Sequence, residues 1–163
     1  KNSKTKFVLV GPIDKESPDH IPHKNISEWE SSGLIQYLGD RKDIREILFL
    51  SDIFVFPSYY REGIPKVLLE AGSMGKPLVA VDNVGAREIV EDGVNGFLVE
   101  AKKAQDLSEA IIKLVENPDL RQKLGAAARQ KVLQQFSDKI VISKTMEVYN
   151  LIINSQETIT KEL

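Results

Sequence analysis

Two glutamates bracket one short stretch of this chain. Glu62 and Glu70 are separated by seven residues, with Gly63 directly after the first and Pro65 between them. Ionised carboxylates accept hydrogen bonds and donate none, and one carboxylate can take both O–H groups of a diol. A ribose and a hexose each carry such diols. Gly63 lets a backbone come close to a ligand. Pro65 is a residue favoured at a first helical position. A helix beginning there would present unpaired N–H groups and the positive end of its macrodipole. Strand, glycine-bearing turn and helix N-terminus together make a diphosphate site. The spacing puts Glu62 just before the helix and Glu70 in its second turn. A diphosphate held between them would have a ribose on one side and a sugar on the other.

The elements that position this stretch are legible as alternating patterns. Phe7–Val10, Leu34–Leu38, Ile53–Phe56 and Leu78–Val81 are short apolar runs, each read as a strand, and Phe97–Val99 follows the turn signals Asp92-Gly93 and Asn95-Gly96. Residues 12–24, with Pro12, Pro18 and Pro22, read as a loop. Asp43-Ile44-Arg45-Glu46 resembles a capping box and opens a helix to about Leu50, and a further helix spans about Pro65 to Met74. Beyond residue 100 the pattern is helical. Asp106-Leu107-Ser108-Glu109 reads as a second capping box, with Leu107, Ala110, Ile111, Leu114 and Val115 on one face of its helix. Asn117-Pro118 starts the next helix, to about Gln135, and Ser137 starts the last, to about Ile153. Strands alternating with helices predict an α/β fold with a Rossmann-like, doubly wound parallel sheet followed by C-terminal helices. Apolar runs that do not alternate agree with strands covered on both faces. Such sheets bind ligands at the carboxyl ends of their strands, which points to the loops after Val10, Leu38, Phe56 and Val81.

Composition removes several function classes. The chain has 163 residues, 42% hydrophobic and 28% charged, with a formal net charge of −2. That balance creates no field drawing it to nucleic acid or anionic lipid. It has no cysteine, so disulfides and thiolate metal sites are excluded. No apolar run approaches the ~20 residues of a membrane span. Lys1–Lys6 is polar and basic with no apolar region behind it, unlike a signal peptide. His20 and His23 are spaced like a weak metal pair but have no further ligands, and they read as surface histidines. No metal site is expected.

At this point a family resemblance becomes specific. Glu62 to Glu70 resembles the E-x7-E signature of retaining GT-B glycosyltransferases, family 4 (group 1). Ser51-Asp52-Ile53-Phe54-Val55-Phe56-Pro57-Ser58 is similar to that family's sDvfvlPS, and Glu62-Gly63-Ile64-Pro65-Lys66-Val67-Leu68-Leu69-Glu70-Ala71 to its EGxPxxLLEA. Gly75-Lys76-Pro77-Leu78-Val79-Ala80 resembles GxPvva, and Gly93-Val94-Asn95-Gly96-Phe97-Leu98-Val99 resembles GxnGfLv. The likeness runs from about Phe7 to Tyr149.

The resemblance implies the C-terminal, nucleotide-sugar-binding half of a GT-B enzyme. Glu70 would bind the nucleotide ribose. Glu62, the implied catalytic residue, would hold the donor sugar's hydroxyls and help stabilise the transition state. Gly63 and Ile64 would meet the diphosphate or sugar through their amides, and Gly39, Asp40 and Arg41 would touch the base. Many family members have glycine where this chain has Pro65, which lacks an N–H, and the Lys66 amide is the neighbouring substitute. The Lys66 side chain is either a phosphate contact or a solvated lysine. Arg41, Lys42 and Arg45 are either a nucleotide contact or a solvated face. Gly85-Ala86-Arg87-Glu88 is either the family's glycine–helix segment facing the sugar or a plain helix cap. Trp29 is expected to pack.

The implied parent enzyme transfers a sugar, with retention, from a nucleotide diphosphate sugar, foremost a UDP-sugar, to a saccharide or lipid-linked acceptor in capsule, lipopolysaccharide or exopolysaccharide synthesis. It would need no cofactor or metal. It would act in the cytoplasm, with peripheral contact at the inner membrane face. The strand and the Arg…Lys pair that precede the segment matching Phe7–Gly11 in the family have no match here. The expectation is therefore a donor-binding domain over residues 1–136, incomplete at its N-terminus, and a helix over 137–163 that crosses toward an absent acceptor domain. The sheet should be disturbed: gapped, paired directly between Phe7–Val10 and Ile53–Phe56, or filled by another chain. The chain alone should show no transfer. An epimerase or dehydrogenase would want G-x-G-x-x-G after the first strand, which Gly11-Pro12-Ile13-Asp14 does not supply. A non-catalytic nucleotide-sugar-binding module or scaffold is the other alternative, and retention of both glutamates argues against it.

Overall fold

The computed structural model describes residues 5–14, 16 and 20–161, with residues 154–161 as backbone alone. Lys1–Lys4 and Pro18 lie outside the described residues. The chain divides into two compact units, residues 1–47 and 48–163.

The first unit holds β1 (Val8–Leu9), α1 (His23–Ser31) and β2 (Gln36–Tyr37), with β1 and β2 parallel and Val8 opposite Gln36. Both strands are shorter than the apolar runs that specify them. The loops that follow them are tied together: Gly11 N–H donates to the Gly39 carbonyl (2.9 Å) and the Tyr37 hydroxyl to the Gly11 carbonyl (2.8 Å). Helix α1 was not expected. Its stretch is polar, with Ile26 as its buried residue and Trp29 half-buried, and no side chain caps its N-terminus. Without a strong apolar stripe or a capping residue, the local signals for a helix are missing. His23, expected at the end of a loop, opens this helix and its Nδ1 meets Ser27 Oγ at 3.1 Å.

Helix α2 (Ile44–Leu50) runs across the division. The second unit follows with β3 (Phe54–Phe56), α3 (Lys66–Ser73), β4 (Leu78–Val81), α4 (Val84–Ile89), β5 (Gly96–Val99), α5 (Ala104–Glu116), α6 (Pro118–Gln135) and α7 (Asp138–Lys161). Its strands form a parallel sheet in the order β3-β4-β5. The described strands thus divide into two parallel sheets, and β1 does not pair with β3.

All four residues of β4 are buried, as a central parallel strand requires. Val79 and Val81 join Val99, Leu114 and Leu124 in the core, with Leu107, Ala110 and Ile111 of α5 packed against it. The α5 face is therefore the one its periodicity specifies. Its start is not: α5 begins at Ala104, so the expected box at 106–109 lies inside the helix, with Asp106 in the first turn where the dipole favours it. Asn117 caps α6 by accepting the Leu120 N–H at 3.0 Å, with Pro118 as the first helical residue. Pro65 is the N-cap of α3 and not its first residue.

The Gly93–Val99 motif has a structural explanation. Asn95 is 1% exposed; its Oδ1 accepts the Glu91 N–H (2.7 Å) and its Nδ2 donates to the Ile89 carbonyl (2.8 Å). A Cβ on Gly96 would stand 2.2 Å from the Leu78 carbonyl oxygen, so only glycine lets β5 close on β4. Asn95→Leu should cost about 3 kcal/mol or more, because each buried group left unsatisfied costs about 1–3 kcal/mol. Urea unfolding checks this, and a variant within about 1 kcal/mol of wild type would overturn it.

Candidate functional site

The expected site lies on the loop from β3 to α3. The loop leaves the carboxyl end of β3, runs through Tyr59 to Ile64 at the surface, and is pinned at its far end by buried Pro65. Tyr59 and Tyr60 stack at 5.0 Å between ring centroids, and the Lys102 ammonium stands 5.1 Å from the Tyr59 centroid. Lys102 is a non-glycine residue with a left-handed backbone, φ 62°.

Glu62, Gly63 and Ile64 are exposed and contiguous at the tip of the loop. A Cβ placed on Gly63 meets nothing within 4 Å, and its φ is not in the left-handed region. Neither the chain's own packing nor the turn demands glycine there. No side chain caps α3; the Leu68 N–H turns back to the Pro65 carbonyl at 3.0 Å. One turn on, Glu70 is paired with Lys66 at 3.4 Å, with side-chain exposures of 33% and 88%. The Lys66 ammonium therefore lies along the solvent face of α3.

Helix α4 stands behind this loop. Asn83 accepts the Ala86 N–H at 2.9 Å and donates to the Ser58 carbonyl at 3.2 Å. Asn83, and not Gly85, is the cap of α4, and Gly85 lies buried within the helix. Asp82 binds Arg87 through two N–H donors at 2.5 and 2.9 Å. The hydrogen bonds and charge of Arg87 hold the Asp82 carboxyl below the usual carboxylate range and raise the guanidinium in turn. Sequence reasoning passed over Asn83, although an asparagine directly before a helix is a capping signal.

Gly39, Asp40 and Arg41 belong to the first unit. Gly39, which follows β2, has φ 67°, the left-handed conformation that favours glycine. Asp40 is exposed. Arg41 donates to both oxygens of Asp43 at 2.7 and 2.5 Å, and this pairing raises the arginine and lowers the aspartate from their ordinary values. Asp43 therefore serves Arg41, where the capping-box reading would have it serve the helix. Among the described residues there is no group of three or more His, Cys, Asp or Glu placed to hold a metal, and no helix long and apolar enough to cross a membrane.

Comparison with known proteins is consistent across sequence and structure. The family model for glycosyl transferases group 1 matches residues 1–131. The chain is 38% identical over 152 residues to the N,N'-diacetylbacillosaminyl-diphospho-undecaprenol α-1,3-N-acetylgalactosaminyltransferase of Campylobacter jejuni, spanning 93% of this chain and 39% of that protein. The Anabaena protein Alr3699/HepE, solved with UDP-glucose, superposes with a TM-score of 0.76 at 26% identity, covering 91% of this chain and 41% of that one. The C-terminal domain of a group 1 family glycosyltransferase (LpcC) from Francisella tularensis superposes with a TM-score of 0.61 at 26% identity, over 71% of this chain and 62% of that domain. The chain thus spans about two fifths of the Campylobacter relative's length.

Proposed function

We propose that this chain, which belongs to the group 1 glycosyl transferases, is the donor-binding half of an enzyme that moves a sugar, with retention, from a nucleotide diphosphate sugar to an acceptor held by another domain. The observation that carries this reading is the turn Glu62–Ile64. Its glycine has open space above it and no conformational need to be glycine, and it leads directly into a helix N-terminus that no side chain caps. That is a backbone surface shaped for close approach by an anion.

On this reading the amides of Gly63, Ile64 and Lys66 face the diphosphate, the last standing in for the N–H that Pro65 lacks. As the glycosidic bond breaks, charge grows on the departing diphosphate, and these fixed donors and the α3 dipole stabilise it. Glu62 holds hydroxyls of the donor sugar and stabilises positive charge at the reacting carbon. Glu70 accepts from the ribose hydroxyls. The Lys66 side chain stays solvated. UDP is the favoured nucleotide, in keeping with UDP-glucose bound by the Anabaena structure. The lipid-linked substrate in the Campylobacter relative's name favours a lipid-linked acceptor, reached at the cytoplasmic face of the membrane. Helix α7 carries exposed Ile142, Val148, Tyr149, Leu151 and Ile152, and this apolar surface suits residues 137–163 to crossing toward an acceptor domain.

An amide chemical-shift titration of the chain with UDP, GDP and ADP tests the proposal. UDP should shift Gly63, Ile64 and Glu70 selectively. Absence of shifts at these residues with all three nucleotides would overturn it.

A further inference from the structure

We infer that Asn83 and Gly85 form a brace that sets the position of the Glu62–Ile64 turn, and are positioning residues for donor binding. The inference rests on the proposed role of that turn. A Cβ on Gly85 would stand 1.9 Å from the Gly63 carbonyl oxygen and 2.9 Å from that of Glu62. Helix α4 therefore lies directly against the peptide backbone of the turn. Gly85 does not have a left-handed φ, so close approach and not conformation requires glycine there. The other end of the loop is held from the same helix, through the Asn83 amide on the Ser58 carbonyl at 3.2 Å.

The brace is itself anchored. Ala86 and Ile89 are fully buried, the Arg87–Asp82 pair ties α4 to the end of β4, and Asn95 holds the Ile89 carbonyl at 2.8 Å. Helix α4 therefore has little freedom to retreat, and any added bulk at Gly85 is transmitted to the turn. Gly63 has open space at its own Cα, so the turn is backed by α4 and free on the side where a ligand would come. Moving the turn by about 1 Å would misplace the Glu62 carboxylate and the Ile64 amide together, a displacement that can cost about 100-fold in a positioned reaction.

Two variants test the brace. Gly85→Ala inserts the clashing methyl. Asn83→Ser keeps a neutral capping oxygen for the Ala86 N–H but is too short to reach the Ser58 carbonyl. In both, beyond the substituted segment itself, amide shifts and faster hydrogen exchange should be confined to residues 58–64, with Leu124 and its core neighbours unmoved, and UDP affinity should fall tenfold or more. A helix cap alone would leave Asn83→Ser like wild type. If wild type binds UDP at Gly63 and Ile64 and both variants bind within threefold of it, the brace is wrong and the donor site stands. If wild type shows no UDP shifts at the turn, the donor reading fails and takes the inference with it.

Discussion

Glu70→Ala should weaken UDP binding tenfold or more, while Lys66→Ala should change it less than about threefold. The two side chains are an ion pair at 3.4 Å, so a purely structural account would have them act together. An exposed pair four residues apart on a helix is worth only about 0.3–0.5 kcal/mol. Lys66 is 88% exposed, which places its pair in that class. A carboxylate accepting from ribose hydroxyls makes hydrogen bonds worth about 1.5–3 kcal/mol, or roughly ten- to 150-fold in affinity. Lys66→Ala keeps the backbone amide assigned to the diphosphate and removes only the ammonium. Calorimetric titration of both variants separates the accounts. Equal, small effects would reduce Glu70 to a partner of Lys66 and remove the ribose role.

Gly125→Ala should destabilise the chain by about 3 kcal/mol or more, although alanine is the better helix former by about 1 kcal/mol. Gly125 lies inside α6, where a Cβ would stand 2.0 Å from the Gly75 carbonyl oxygen. Relief by moving α6 outward is opposed by its neighbours Leu124 and Ala128, both fully buried. The seam continues along α3: a Cβ on Gly72 would come 3.0 Å from Val132 Cγ2, and Arg129 donates to the Ser73 carbonyl. Overpacking at a rigid contact costs about 1–3 kcal/mol and sometimes more, and here the atom struck is backbone. Because α3 carries Glu70, the same seam fixes the candidate ribose contact. The control is Gly63→Ala, which meets nothing within 4 Å and should leave stability within about 0.5 kcal/mol. Urea unfolding of both variants checks the contrast, and a Gly125→Ala chain as stable as wild type would overturn it.

Much of the framework was legible from local pattern. The apolar runs at 53–56 and 78–81 are strands, the α5 face is buried as its 3.6-residue period specifies, and Asn117-Pro118 starts α6. The spacing of Glu62 and Glu70 was enough to place one before a helix and the other in its second turn. These features depend on neighbours in sequence, so sequence carries them. Helix α1 was missed for the same reason: its polar residues 23–31 offer neither a cap nor an apolar stripe to read.

The residue types available to the candidate site, and the order of strand, turn and helix that presents them, were determined by the sequence alone. Tertiary structure decided which glycines serve the chain's own packing and which leave space for something else. A Cβ on Gly85, Gly96 or Gly125 would strike a carbonyl from a segment distant in the chain, while a Cβ on Gly63 would meet nothing within 4 Å. The physical reason is that a missing Cβ is the same local fact everywhere, and only the atoms brought against it by folding give it a function.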